Sequence, residues 1–286
     1  MKYIFVGGAQ RAGTTLLHSI LCSTRATPPP VAEDRTVRFL AMAYEDTIRR
    51  FDAHAGHFFG DRQEAAQFFR GLILRYMQQV ARRWPEASHM VLKQPALTPH
   101  FPTLSRLLPR NSLFVIAVRD PVDIVASLRR VAEVEAGGPD ALPPGRDIVG
   151  FARRALRFYR QPLEAFGPGD GDRVLWLRYE DMVADPEAIA RRLGGFTGID
   201  LSGYQAGEPW RGWQDGTVDL DERRKSPYFS PLWGKAVTSE RVGAWREILS
   251  ADEATRVRMA VPVFMRAFGY ADAATAAAPT TTGRQE

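Results

Sequence analysis

Four short apolar runs stand out along the chain, at residues 3–6, 90–92, 113–118 and 174–177. Apolar side chains follow one another in these runs without polar alternation, which is typical of strands buried on both faces. The segments between the runs place apolar residues at helical spacing instead. Strands that alternate with helices predict an α/β fold, with a central parallel sheet flanked by helices.

Two of the helical segments have a clear apolar pattern. The first follows the opening run directly, and the second covers residues 63–83. Repeats at i and i+4 place apolar side chains on one face of a helix, so both segments predict faces that pack against the core. The apolar positions are Leu16, Leu17, Ile20 and Leu21 in the first segment, and Phe68, Phe69, Leu72, Ile73, Tyr76, Met77 and Val80 in the second.

Turn signals divide the remaining chain. Asp120-Pro121 and Asp185-Pro186 pair an N-cap residue with a proline in the first turn, so each predicts the start of a helix. Residues 135–147 are rich in glycine and proline and predict a loop. The alanine- and threonine-rich end, residues 271–286, predicts a disordered tail. We therefore expect a single domain over residues 1–270.

Composition is that of an ordinary globular protein, with 286 residues, of which 45% are hydrophobic and 25% charged. The net charge is +5, but the basic residues form no long run, so we expect no nucleic-acid partner. The single cysteine, Cys22, excludes an intrachain disulfide and favours a reducing compartment. The apolar start is too short for a signal peptide or a membrane span, so we expect a cytoplasmic protein. The five histidines are scattered without metal-ligand spacing.

The turn after the first run carries the first candidate chemistry. Gly8 and Gly13 have the G-x-x-x-x-G spacing of a phosphate-binding loop, in which backbone N–H groups and a helix start face an anion. A nucleoside triphosphatase has lysine after the second glycine, whereas this chain has Thr14. Its cation, Arg11, lies inside the loop. The third run does not end in a magnesium-binding aspartate, because Arg119 stands between the run and Asp120. The loop therefore predicts a site for a phosphate-like anion held without metal.

Four segments resemble one known family, the sulfotransferases that use 3′-phosphoadenosine 5′-phosphosulfate (PAPS). "FVGGAQRAGTTLL" is similar to the family's 5′-phosphosulfate loop, and "FVIAVRDPVDIVASLRR", residues 114–130, is similar to its 3′-phosphate motif. "WLRYEDMVADPEAIARRLGGFTG" resembles the segment that follows a core strand of the family. "SERVGAWREIL", residues 239–249, resembles a late loop near the nucleotide. The resemblance is closest to the branch that includes the tyrosylprotein sulfotransferases.

The resemblance implies a P-loop-type sheet, PAPS as donor, adenosine 3′,5′-bisphosphate as product, and no metal. Arg119 and Ser127 match the ligands of the 3′-phosphate, and the Tyr179-Glu180 pair is scaffold with a tyrosine hydroxyl that can reach the nucleotide. The full set of expected nucleotide-binding residues is Gln10, Arg11, Ala12, Gly13, Thr14, Thr15, Arg119, Ser127, Tyr179, Ser239 and Arg241.

The resemblance also implies three catalytic residues. Arg11 faces the leaving 5′-phosphate from one end, and Lys93, which matches a lysine of the tyrosylprotein branch, faces it from the other. Glu33 matches the base of that branch. In that branch an arginine sits beside the glutamate, which corresponds to Arg35. Three prolines at residues 28–30 depart from the branch's pattern just before the glutamate. The base therefore remains open between Glu33, Asp34 and, as a fallback from another branch, His100.

The acceptor and two other functions also remain open. The acceptor is a hydroxyl or an amine of a small molecule, a saccharide or a peptide tyrosine. Residues 208–234 are rich in aromatic residues and arginine, so they are the candidate acceptor lid, with a packed excursion or an oligomer contact as alternatives. The alternative functions are a P-loop kinase-like phosphotransferase and a non-catalytic nucleotide-binding module. The sequence leaves the oligomeric state open.

Overall fold

The architecture is a parallel sheet flanked by helices, seen in a computed structural model that describes residues 1–135, 148–208, 210 and 225–271. The strands are β1 (Lys2–Gly8), β2 (His89–Lys93), β3 (Ser112–Val118) and β4 (Val174–Arg178). Each contains one of the predicted apolar runs. They pair in parallel in the order β2-β1-β3-β4, which confirms the predicted fold class.

Helices connect the strands and cover both faces of the sheet. They are α1 (Thr14–Leu21), α2 (Thr36–Arg49), α3 (Arg62–Ala81), α4 (Phe101–Leu107), α5 (Pro121–Glu135), α6 (Ile148–Phe166), α7 (Tyr179–Ala184), α8 (Pro186–Thr197), α9 (Ala251–Ala260) and α10 (Pro262–Ala267). Short 3₁₀ turns lie at Ala55–His57, Pro95–His100 and Ala244–Glu247. No helix in the described ranges is both long and apolar enough to cross a membrane.

The register of the sheet brings the predicted site segments to one edge. Val6 of β1 lies opposite Lys93, the last residue of β2, and Gly8 lies opposite Ala117 of β3. Val118 of β3 lies opposite Arg178 at the end of β4. Since all strands are parallel, the turns after them leave the sheet at this same carboxyl edge. Ligands of open α/β sheets bind at such an edge, where neighbouring strands send their chains to opposite sides.

The sheet is buried on both faces, which explains the unbroken apolar runs. The Phe5 and Phe114 rings stack across β1 and β3 with centroids 5.5 Å apart, and Phe101 of α4 lies 5.0 Å from Phe114. Every residue of β3 is buried. This core holds the carboxyl edge, and with it the site, in a fixed geometry.

The apolar stripe predicted for the second helix is only partly buried. Helix α3 buries a narrow face at strict i, i+4 spacing: Ala65, Phe69, Ile73, Met77 and Ala81. The prediction was wrong for Phe68 and Leu72, which are 51% and 36% exposed. The Phe69 ring meets Tyr44 of α2 at 5.7 Å. The face that α2 and the core cover is narrower than the apolar stripe in the sequence.

The two aspartate-proline signals are confirmed as helix starts. The Asp120 carboxylate accepts from the Val122 N–H (2.8 Å) at the start of α5, and Asp185 accepts from the Ala188 N–H (2.8 Å) at the start of α8. The predicted loop at 135–147 lies outside the described residues except for the last residue of α5. The predicted tail lies outside them except for residue 271. The single domain over residues 1–270 stays a prediction.

Candidate functional site

The turn between β1 and α1 needs glycine at two positions. Gly8 has φ of 136° and Gly13 has φ of 91°, both in the left-handed region that favours glycine. A Cβ on Gly13 would lie 2.6 Å from the Tyr179 ring, and one on Gly8 would overlap the Ala117 carbonyl. The loop is therefore pressed against β3 and the start of α7, where only a bare backbone fits.

Two buried hydroxyls anchor the base of this loop. The Gly8 N–H donates to Thr98 Oγ1 (2.7 Å), and the Ala9 N–H donates to the Tyr159 hydroxyl (2.7 Å). Tyr159 in turn donates to the Ala117 carbonyl (2.8 Å) and so ties the loop to β3. Burial raises the pKa of Tyr159 well above its ordinary value, so the phenol stays protonated and able to donate.

The start of α1 is left open to a ligand. Its N-cap, Gly13, is left-handed, and no side chain of the described residues caps the helix. Uncapped N–H groups at a helix start, together with the helix dipole, favour an anion. Thr14 and Thr15 follow, and with Gly13 they line a cavity of about 280 Å³.

This cavity brings together eight of the residues predicted for the nucleotide. They are Arg11, Gly13, Thr14, Thr15, Arg119, Ser127, Tyr179 and Arg241. The cavity wall does not include three other predicted nucleotide-binding residues: Gln10 and Ala12 of the turn between β1 and α1, and Ser239 of the late loop. It also does not include Glu33 and Lys93.

Arg119 is the most deeply buried cation in the cavity wall, at 7% exposed. Its two terminal nitrogens donate to the carbonyls of Arg11 (3.2 Å) and Arg241, and its guanidinium lies 4.4 Å over the Tyr179 ring. The Asp123 carboxylate lies 3.6 Å away. Its Nε is buried and has no hydrogen-bond partner among the described residues. A buried charged donor without an acceptor is costly, so this guanidinium keeps an unsatisfied N–H group in the wall of the cavity.

Arg11 places a second guanidinium in the same cavity. Its Nε donates to Ser127 Oγ (2.9 Å) and its Nη1 to the Tyr228 carbonyl (2.6 Å). Burial, followed by the neighbouring positive charge of Arg119, lowers the pKa of Arg11 to about 10, so it remains charged at neutral pH. Its φ of 69° is left-handed, which is uncommon for a residue with a side chain. Two neighbouring cations in the wall of one cavity, one buried and one partly buried, favour an anionic ligand there.

The late loop and part of the predicted lid complete the cavity wall. Tyr228 belongs to the candidate lid at residues 208–234, and its neighbours Phe229 and Trp233 line the cavity. The structure describes residues 208, 210 and 225–234 of that segment; the others lie outside the described residues. Residues 225–234 therefore face the turn between β1 and α1. Their role toward an acceptor stays a prediction.

Asp123 is a cavity residue that the sequence motifs did not single out. It follows Arg119 by four residues, the spacing at which helical neighbours pair, and this was the available signal.

The contacts of Glu180 match the scaffold role predicted for it. Its carboxylate accepts from the Asp120 N–H (2.9 Å) and the Tyr270 hydroxyl (2.7 Å), so it links α7 to the end of β3 and to the last described turn.

Glu33 and Lys93 form a separate pair at the same sheet edge. Lys93 Nζ donates to Glu33 Oε1 at 2.6 Å. The lysine side chain is 6% exposed and the glutamate 44%, so the carboxylate reaches solvent while the ammonium is buried beneath it. Lys93, predicted to face the leaving phosphate, is thus in contact with Glu33, the predicted base, and the pair lies beside the β1 end rather than in the cavity wall.

The two alternative bases have other partners. Asp34 accepts from the Thr36 N–H (2.8 Å) and from the Tyr76 hydroxyl (2.8 Å), which orders the start of α2 against α3. His100 Nδ1 hydrogen-bonds to Glu45 Oε2 (2.9 Å). Both side chains therefore have structural contacts that account for their positions.

Comparisons of the sequence and of the structure with known proteins point to the same family. The model of the "Sulfotransferase family" matches residues 3–203. The sulfotransferase domain from the curacin biosynthetic pathway is 17% identical with a TM-score of 0.54, over 91% of this chain and 96% of that chain. The sulfotransferase domain of the Synechococcus PCC 7002 olefin synthase is 15% identical, also at 0.54, over 92% and 93%. No curated protein matches. At these identities the two solved structures show a shared fold.

Proposed function

The chain belongs to the sulfotransferase family, and we propose that it transfers the sulfuryl group of PAPS to a hydroxyl or amine acceptor. The observation that carries the proposed donor is the buried guanidinium of Arg119 in the cavity wall, whose Nε has no partner among the described residues. It lies beside the charged Arg11 and the start of α1, which no described side chain caps. A nucleotide with anionic groups at both its 5′ and 3′ positions suits such a cavity.

The proposed orientation puts the 5′-phosphosulfate on the loop and the 3′-phosphate on Arg119. Gly13, Thr14 and Thr15 offer backbone N–H groups and hydroxyls to the 5′ end. Ser127 and Arg119 hold the 3′-phosphate by charge-assisted contacts, with Arg241 beside them. We assign Gln10, Ala12, Tyr179 and Ser239 to the nucleotide by resemblance to the family.

Sulfuryl transfer in this site is an in-line displacement. The acceptor oxygen or nitrogen forms a bond to sulfur while the bond from sulfur to the 5′-phosphate oxygen breaks. Negative charge grows on that leaving oxygen, where the guanidinium of Arg11 stabilises it more strongly in a buried site than in water. The acceptor proton passes to a base.

We assign the base to Glu33, with Lys93 as its partner. Two observations support this choice: the carboxylate is accessible, and the buried ammonium 2.6 Å away holds it in place. The Asp34 carboxylate already accepts hydrogen bonds from the start of α2 and from Tyr76, and His100 already hydrogen-bonds to Glu45. A hydroxyl acceptor needs such a base because its own pKa lies far above neutral pH.

The donor assignment is tested by equilibrium binding of adenosine 3′,5′-bisphosphate and of adenosine 5′-monophosphate. Arg119→Ala should weaken binding of the bisphosphate by about 10-fold or more, because a charge-assisted contact is lost, and should change binding of the monophosphate much less. Arg160→Ala is the matched control, since Arg160 is exposed on α6 and pairs only with Glu164 in the described structure. Equal losses for both nucleotides would contradict the assignment.

The alternative functions predict different ligands. A phosphotransferase would be stabilised against heat by ATP with Mg²⁺ and not by the bisphosphate, and EDTA would abolish its activity. A non-catalytic module would bind the bisphosphate without turning over ³⁵S-labelled PAPS in the presence of acceptor extracts. We expect stabilisation by the bisphosphate, label transfer, and no effect of EDTA.

The base is tested with Glu33→Gln, which keeps the shape and removes the basicity. Turnover of a hydroxyl acceptor should fall about 10²-fold or more, whereas a nitrophenol already ionised at the assay pH should lose much less. Asp34→Asn is the matched control and should change stability rather than this ratio. Full activity of Glu33→Gln on a hydroxyl, with activity lost in Asp34→Asn or His100→Ala, would reassign the base.

A further inference from the structure

Asp123 links two parts of the cavity that are far apart in sequence. The residue lies in the first turn of α5 and is 2% exposed. One carboxylate oxygen accepts from the Gly243 N–H (2.8 Å) and the other from the Trp245 N–H (2.9 Å). The first of these oxygens also lies 3.6 Å from the Arg119 guanidinium.

Two backbone N–H donors and one guanidinium charge meet at this side chain, and a carboxylate suits all three. An ionised aspartate has two acceptor oxygens with lone pairs to spare. An asparagine has a single acceptor oxygen, and its amide group would face one of the backbone N–H donors. Asp123→Asn barely changes the shape of the side chain, but it removes one of the two acceptor oxygens that the 243–245 turn needs.

The turn that Asp123 holds supplies cavity wall. Gly243 is left-handed, with φ of 71°, and begins the 3₁₀ turn Ala244–Glu247. Just before it, the Arg241 carbonyl accepts from the Arg119 guanidinium. Two contacts therefore orient the Arg119 guanidinium: it donates to the Arg241 carbonyl of this loop, and it lies beside the Asp123 carboxylate.

We propose that Asp123 is a positioning residue for recognition of the 3′-phosphate. It fixes the 241–245 turn against Arg119, and this arrangement presents the guanidinium of Arg119 and the side chain of Arg241 to the phosphate. The proposal rests on the proposed function, because it concerns the same nucleotide. Asp123 acts through its neighbours and makes no contact with the transferred group.

The test compares Asp123→Asn with the wild type in binding adenosine 3′,5′-bisphosphate and adenosine 5′-monophosphate. The preference of the wild type for the bisphosphate should fall by about 10-fold or more in the variant, because leaving a buried N–H without its acceptor displaces the turn. Binding of the monophosphate should change much less. Asp185→Asn is the matched control, since Asp185 also lies at a helix start but outside the cavity.

The two proposals fail differently in this experiment. A wild type without preference for the bisphosphate would overturn the proposed donor. A wild type with that preference, and an Asp123→Asn variant that keeps it in full, would overturn only the role of Asp123. A general loss of folded protein would lower the active fraction without changing the ratio of the two dissociation constants.

A second measurement needs no variant. Hydrogen exchange of the intact wild-type protein should show slow exchange at the amides of Gly243 and Trp245, because both donate to a buried carboxylate. Exchange at the rate of exposed loop amides would overturn the proposal even if Asp123→Asn failed to fold.

Discussion

We expect the carboxylate of Asp120 to destabilise the folded state at neutral pH and to lose this effect in mild acid. Burial, reinforced by the negative charges of Asp123 and Glu180, raises the pKa of Asp120 from 3.8 to about 6. The Val122 N–H and the positive charge of Arg258 act in the opposite direction but do not cancel this effect. The folded state therefore binds the proton more tightly than the unfolded state does.

The sign and the size of the effect follow from linkage. Above about pH 6 the carboxylate is ionised in both states, and the difference between the two pKa values costs about 3 kcal/mol of unfolding free energy. This cost decreases as the pH falls through 6, is about half as large at pH 5, and disappears below about pH 4.

Asp120→Asn should remove the cost while keeping the helix cap, because the amide oxygen can still accept from the Val122 N–H. We expect the variant to be more stable than the wild type by up to about 3 kcal/mol at pH 7.5, and by about half as much at pH 5. Urea unfolding followed by tryptophan fluorescence, at several pH values between 5 and 8, measures this difference. Asp185→Asn controls for the loss of a capping carboxylate elsewhere. A variant of Asp120 that is destabilised by the same amount at every pH would refute the reasoning.

Three further substitutions test the loop itself. Gly13→Ala should cost about 1–3 kcal/mol in urea unfolding and should weaken nucleotide binding, because its φ is 91° and its Cβ would meet Tyr179; unchanged values for both would contradict the geometry. Tyr159→Phe should cost about 1–3 kcal/mol, since the Ala9 N–H and the Ala117 carbonyl both lose a buried partner; a neutral result would mean that water replaces the hydroxyl. Arg11→Ala should lower kcat more than donor affinity in steady-state assays, because its charge matters most as the leaving group departs; a defect confined to the donor KM would contradict that role.

The strands and the cavity motifs could be predicted from sequence because each depends on neighbouring residues. A strand buried on both faces must be apolar throughout, so the four runs mark the sheet directly. Gly13 and Arg119 sit at fixed distances from strand ends, so their spacing already places them at the carboxyl edge. The aspartate-proline signals act within a single helical turn, and both helix starts follow them.

The features that could not be predicted depend on partners distant in the chain. Asp123 accepts from backbone N–H groups more than a hundred residues later in the chain, and no local pattern encodes this contact. Phe68 is exposed because α2 covers a narrower face of α3 than the apolar stripe offers. The separate pairing of Lys93 with Glu33 likewise arises from the meeting of β2 with the segment before α2.

The order of the strands also has a consequence during synthesis of the chain. β1 lies between β2 and β3, and its nearest partner in sequence follows about 90 residues later, as the pairing of Val6 with Lys93 shows. At about 5–20 residues per second, a ribosome needs several seconds to complete that partner. During this interval the first strand, almost entirely apolar, has no sheet to join. A nascent chain halted before β2 should therefore bind chaperones, and one released after β3 should protect its amino terminus from proteases.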